Sequence, residues 1–295
     1  MQITVFWKHA SLYILSFAFL LVLGAGCTSP QEIKTVSPDV ATGPKNASFE
    51  DVPPAEATKK LVLTPGSVIV LKQSFHDIGE TLAAGMNLGK SVERILTIRN
   101  FAPGNFANIE WKAVTEVQKD NKTENRQLVG SISGIGLKDG RELALPALWT
   151  EGIRNAGGYS AIWLPAEVFE NFSKAQSSTF VPGLVSAQLV DLFDPPKTIK
   201  DQIIKLRAAL EAEIKNKDIE YATSEIEHGR KDVNVNGSRV TVEVLNISSW
   251  YGKFSVLNNE QNPIVLKFTP SKELEAKGMS GFFGFEVTDF KDIQE

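Results

Sequence analysis

The sequence predicts an α+β body made mainly of antiparallel β-sheet, with one long amphipathic helix at 198–216 and a shorter helix at 165–175. Three observations predict it. Apolar and polar residues alternate over several stretches, the period of a half-buried strand; Ile109, Trp111 and Ala113 point one way, with Glu110, Lys112 and Val114 the other. Tight-turn dipeptides, Asp139-Gly140 and Asn236-Gly237, sit between such stretches as they do in hairpins. Between the two sets of strands, Ile199, Ile203, Leu206, Leu210 and Ile214 recur at three- and four-residue spacing, which is one face of a helix that gains its stability by packing on a sheet.

Taken in order, Leu61 to Gln73 reads as strand, interrupted at Thr64-Pro65-Gly66. Ser74 to Lys90 is broken by Gly79, Gly85 and Gly89, with room for a short helix over Glu80 to Met86. Ser91 to Asn100 is a strand through Val92, Ile95, Leu96 and Ile98, and Pro103-Gly104 turns the chain into the strand around Trp111. A polar loop is expected from Asp120 to Asn125. Leu128 to Leu137 and Arg141 to Trp149 are expected to pair across Asp139-Gly140. Pro165 opens the short helix, since proline is pre-set for a first turn, and Val168, Phe169 and Phe172 form its apolar face. Thr179 to Phe193 reads as strand and turn. Thr198 caps the long helix, with Asp201 at capping-box spacing. From Ile219 onward the pattern is strands: a hairpin joining Val233 and Val235 to Val240 and Val242 across Asn236-Gly237, then strands through Phe254 and Val256, through Ile264, Leu266 and Phe268, and through Phe283, Phe285 and Val287.

Ahead of this body lies an export segment. Lys8 and His9 form a weakly basic head, Ala10 to Leu23 is almost wholly apolar, and small residues follow before Cys27. Gly24-Ala25-Gly26-Cys27 resembles the lipobox of bacterial lipoproteins, in which the signal is cut before the cysteine and the new N-terminus is acylated. Gly24 stands where that family prefers leucine. The resemblance implies lipidation of Cys27, with palmitate-type chains as the membrane contact. Each buried methylene contributes roughly 0.8 kcal/mol, and stable anchoring takes more than one chain. An ordinary secretory signal and an uncleaved helix are the alternatives, although the apolar run is short of the ~20 residues a spanning helix needs. Thr28 follows the cysteine where an inner-membrane retention signal would place Asp, so the resemblance implies sorting to the outer membrane, on its periplasmic or surface face. The expected organisation is a signal peptide at 1–26, a lipidated N-terminus and proline-rich flexible linker at 27–59, and the α+β body at 60–295, either one large domain or two subdomains of about 60–195 and 196–295.

Composition narrows the function. The 295 residues are 42% hydrophobic and 22% charged, as in globular proteins, and the net charge of -4 without a basic stripe argues against nucleic acid. Cys27 is the single cysteine, so no internal disulfide staples the body.

Catalytic and cofactor signatures are sparse. Glu225, Glu227 and His228 are the densest donor cluster, but strand alternation puts His228 on the face opposite the two carboxylates, so no metal is expected. Gly134-Ile135-Gly136 lacks the third glycine of a dinucleotide fingerprint, and Asp120 to Asn125 has Lys122 at a calcium-ligand place; no cofactor is expected. His76-Asp77 could orient a base for a serine, although no nucleophile-elbow motif occurs. Trp111, Trp149, Trp163, Trp250 and Tyr251 could line a groove, but aromatics on alternating strands belong more often to the core. Trp163-Leu164-Pro165 with Phe169, and Val256 to Leu266, resemble recurring phrases of uncharacterised exported bacterial proteins rich in β structure, which implies no activity. The expectation is a non-catalytic, envelope-tethered binding or assembly module with a protein partner. A hydrolase using His76 and Asp77 and a carrier of an apolar ligand under the long helix are the alternatives.

Overall fold

The computed structural model describes residues 52–74, 91–119, 122–140, 142–174, 181–182, 225–249, 252–272 and 284–293, together with Leu192, Lys197, Lys200, Asp201, Ile204 and Ala208. Four long strands form an antiparallel meander: β1 (Val68–Ser74), β2 (Ser91–Ala102), β3 (Phe106–Lys119) and β4 (Lys122–Gly136). A second meander follows in the C-terminal part. The short strands between them are β5 (Glu142–Leu143), β6 (Gly152–Asn155) and β7 (Val181–Pro182). The second meander is β8 (Glu225–Val235), β9 (Ser238–Ser249), β10 (Gly252–Leu257) and β11 (Val265–Pro270).

The last strand, β12 (Phe285–Lys291), joins the two meanders into one ten-stranded sheet. One edge of β12 pairs antiparallel with β1. Its other edge is shared: Phe285 and Glu286 pair with Phe268 and Lys267 of β11, while Asp289 and Phe290 run parallel to Asn234 and Val235 of β8. Strands β8 to β12 therefore close on themselves as a small barrel, and closure removes the unpaired edges that an open sheet leaves. Phe254 and Phe268 stack inside it at 4.5 Å between ring centroids, among buried Val233, Val242, Val256, Val287 and Phe290. The β1–β4 meander stays open and ends at β6, which lies parallel to β4.

The expected class holds at the level of a mostly β body with helix. Asn236 and Gly237 take φ of 51° and 86°, the double left-handed geometry of a type I′ hairpin turn, and Val233 pairs with Val240 across it. The short helix, α2 (Ala166–Ser173), has Pro165 at its N-cap and buries Phe169 and Phe172. Residues 198–216, where the long helix is expected, lie mostly outside the described residues; Lys200, Asp201, Ile204 and Ala208 are each helical.

Several local expectations are corrected. Arg141 to Trp149 does not pair with β4, because β3 and β6 already occupy both of its edges. The chain there makes β5, which pairs with β7, and then a 3-10 turn at Pro146–Leu148, where proline cannot donate to a ladder. Gly140 is wedged against β4: a Cβ there would meet the Gly136 carbonyl oxygen at 2.6 Å. The loop expected at Asp120 to Asn125 is shorter, since Lys122 to Asn125 already pair with β3. Leu61 and Leu63 are buried but lie outside any strand. Parallel pairings at β4–β6 and β8–β12 make the ten-stranded sheet mixed, and β5 and β7 pair in parallel as a separate two-stranded sheet.

The body also begins earlier than composition suggests. Residues 54–60, at the boundary of the expected linker, form α1 (Pro54–Lys60), which packs on β9. Proline at its start and the buried Ala57 and Thr58 explain why a proline-rich stretch still folds. The Thr58 hydroxyl accepts the Glu243 N–H at 2.7 Å and donates to the Pro54 carbonyl at 2.6 Å. Residues 45–295 form one compact unit, and β12 crosses the division expected near 195. The two recurring phrases meet in space: Trp163 bridges to Ile264, Leu164 N–H donates to the Pro263 carbonyl, and Val265 N–H donates to the Ile162 carbonyl. The indole Nε1 of Trp163 donates to Asn262 Oδ1 at 2.9 Å in the buried interior.

Candidate binding cleft on the open sheet

Strand periodicity sends alternate residues of the β1–β4 meander outward, and register lines them up in rows. One row runs Thr97, Glu110, Ser131, Ile153 across β2, β3, β4 and β6; the next runs Ile95, Lys112, Val129. These side chains line an open cleft of about 500 Å³, with Arg99, Trp111, Gln127, Gly130 and Gly152 completing it. Ile153 is 83% exposed and Val129 51% exposed, and Val114, further along β3, is 57% exposed. Exposed apolar side chains side by side on a rigid surface, rimmed by polar groups, mark a place where something binds.

The polar wall is an ion pair. Arg99 Nη2 donates to Glu110 Oε2. That hydrogen bond, with the guanidinium charge, holds the Glu110 carboxyl below its ordinary range and raises Arg99. Both groups stay charged at neutral pH and offer a donor and an acceptor beside Lys112 and Gln127. Arg126 and Glu151 form a second exposed pair nearby on β4 and the chain before β6. Hydroxyls come from Thr97 and Ser131, and neither faces a histidine among the lining residues. The arrangement can hold a ligand by apolar contact and charge-assisted hydrogen bonds.

The inner face of the same meander carries a group that the sequence analysis passed over. Arg94 occupies the buried phase of β2, between Val92 and Leu96, opposite Leu71 of β1 and Ala113 of β3. Its guanidinium lies 4.6 Å from the Trp111 ring centroid and 5.9 Å from that of Trp149. Burial lowers its pKa to about 9, so it is still a cation at neutral pH. The signal for it was present: a charge in phase with Val92, Leu96 and Ile98, while Glu93, Thr97 and Arg99 stand on the other face of the strand with Ile95.

The chain matches no protein-family model, no curated protein and no solved structure.

The residues singled out from sequence are distributed as follows. Cys27, His76, Asp77, Trp250 and Tyr251 lie outside the described residues. Trp111, Trp149 and Trp163 are buried, Trp111 on the side of β3 that the alternation implied, and Trp111 also lines the cleft. Glu225, Glu227 and His228 lie exposed along β8. Among the described residues, no three His, Cys, Asp or Glu side chains are placed to hold a metal ion, and no helix is long and apolar enough to cross a membrane.

Proposed function

We propose that this protein is a non-catalytic binding module, tethered to the outer membrane through acylated Cys27, that presents its open sheet to a partner in the cell envelope. The observation that carries the reading is the β2–β3–β4–β6 cleft, where Val129 and Ile153 stand exposed beside the Arg99–Glu110 pair. The partner fitting it carries an apolar group for Val129 and Ile153 and a polar group for the charged wall. Steering by a tether favours this use, because confinement near a membrane raises the effective concentration of any partner held there.

The test places a photo-crosslinking residue at Ile153 in the full chain within the cells that make it, with the same residue at exposed Lys253 on the barrel as control. The expected result is one discrete adduct at Ile153, absent at Lys253 and abolished by Val129→Glu. Adducts of equal intensity at both positions, or none at Ile153, would overturn the reading. Fatty-acid labelling of the wild type, lost in Cys27→Ser, tests the tether separately.

A further inference from the structure

The cleft leaves one feature of the sheet unused: the buried cation on its other face. Arg94 is fully buried, and its Nε, Nη1 and Nη2 meet no hydrogen-bond acceptor among the described residues. The indole Nε1 of Trp111, the ring over which the guanidinium lies, is also buried without an acceptor among the described residues. The other tryptophan is different, since Trp149 Nε1 donates to the Ala144 carbonyl at 3.0 Å. Buried donors are ordinarily paired, and a buried charge is ordinarily paired and hydrogen-bonded. Ring contacts offset part of the cost of dehydrating a cation but satisfy none of its N–H groups in their own plane. What this cluster lacks is an acceptor with negative charge.

We propose that Arg94, with Trp111 Nε1, is the anion-holding end of an internal ligand site that takes the carboxylate of an amphiphile. The chemistry selects that class. A guanidinium presents parallel N–H donors matching the two oxygens of a carboxylate. One cation is balanced by one negative charge, whereas inorganic phosphate would bring excess charge and a full hydration shell into a shell made of Leu71, Leu96, Ala113 and Trp149. A carboxylate on an apolar body supplies the apolar contact along with the charge. Arg94 approaches from the face of β2 opposite the cleft, because its neighbours Glu93 and Ile95 point the other way, and Trp111 borders both sites.

Octanoate is the probe, added to the purified full chain, with 1-octanol and inorganic phosphate as the neutral and the headless comparisons. Octanoate is expected to raise Tm and change tryptophan fluorescence, and the other two are not. Arg94→Met is expected to be more stable than wild type without ligand, because an uncompensated charge is replaced by an apolar chain of similar shape. Its octanoate affinity should fall roughly tenfold or more, the loss of one charge-assisted hydrogen bond or greater. Arg94→Lys keeps the charge without the fork and should fall between. Absence of octanoate binding by calorimetry to the wild type, an equal response to octanol, or an undiminished response in Arg94→Met and Arg94→Lys would each overturn the proposal. Val129→Glu should leave octanoate binding unchanged, so failure at the cleft and failure here are told apart.

Discussion

Asn262 ties three remote segments together, and removing it should cost more than any surface contact in the molecule. Its side chain is buried; Oδ1 accepts from Trp163 Nε1 at 2.9 Å and Nδ2 donates to the Leu61 carbonyl at 3.2 Å. Asn262→Leu keeps the volume but leaves the indole N–H and the Leu61 carbonyl without partners. A buried polar group left unsatisfied costs about 1–3 kcal/mol, so two of them cost about 2–6 kcal/mol. Against a total stability of roughly 5–15 kcal/mol that is a large share. Trp163→Phe removes only the donor and strands Oδ1, at about 1–3 kcal/mol plus the loss of ring packing. In the double variant neither the indole N–H nor the amide remains, and only the Leu61 carbonyl is orphaned. The double variant should therefore be more stable than the sum of the single losses predicts, by about 2–6 kcal/mol, since neither the indole N–H nor Oδ1 is then left stranded. Urea unfolding followed by far-UV circular dichroism gives all four stabilities without relying on the altered fluorophore. Single losses that add within about 0.5 kcal/mol would refute the reasoning, because residues in one hydrogen-bond network are expected to couple.

Three further outcomes follow from the packing and the charges. Gly130→Ala should destabilise by about 1–3 kcal/mol and shift tryptophan emission, since its Cβ would sit 2.6 Å from Trp111 Cε2 and must displace the ring; an unchanged melt and spectrum would contradict this. Burial raises the Glu286 carboxyl, but the hydrogen bond and charge of Lys231 and of Lys267 outweigh it, so the folded group titrates below its ordinary value. Its contribution is present at neutral pH and is lost as pH falls through the carboxylate range; being partly exposed it is worth less than about 1 kcal/mol, and Glu286→Gln should flatten the acid limb of Tm against pH. Phe290→Ala, at the point where β12 pairs with both Ile69 and Val235, should cost about 3–5 kcal/mol. It should lower the melting of both meanders together in one transition, and calorimetry resolving two separate transitions would argue against β12 as their shared strand.

What could be read from the sequence was what short-range chemistry decides. Asn236-Gly237 specifies its turn because only such residues tolerate two positive φ values in succession. The alternation around Trp111 specifies which side of β3 is buried, and Pro165 specifies where α2 begins. Asp139-Gly140 carries the same turn signal as Asn236-Gly237, yet no hairpin forms, because the partner edge of β4 is taken by β6 from further along the chain. Nothing local announces that competition. The three-way pairing of β12 is equally invisible, being a matter of which distant edges remain free. For the candidate sites the limits were different: the cleft rows depend on register between four strands, whereas Arg94 stood in plain sight as a charge in the apolar phase of β2 and was obscured by its apolar neighbours.

The division between a closed barrel and an open meander bears on where binding should occur. Ring closure commits the backbone donors and acceptors of β8 to β12 to one another, and the valine-rich interior fills the space within, so the barrel suits the role of a mount. Through the β12–β1 pairing that rigidity passes into the meander, whose long strands hold their outward side chains at fixed spacings. A site assembled on strands is held more precisely than one on loops. Two features among the described residues that internal packing does not account for, the exposed Val129 and Ile153 and the Arg94 guanidinium without a described acceptor, lie in the meander. A role confined to holding the fold together would leave both as costs with no return; binding, at one face or the other, gives each a reason.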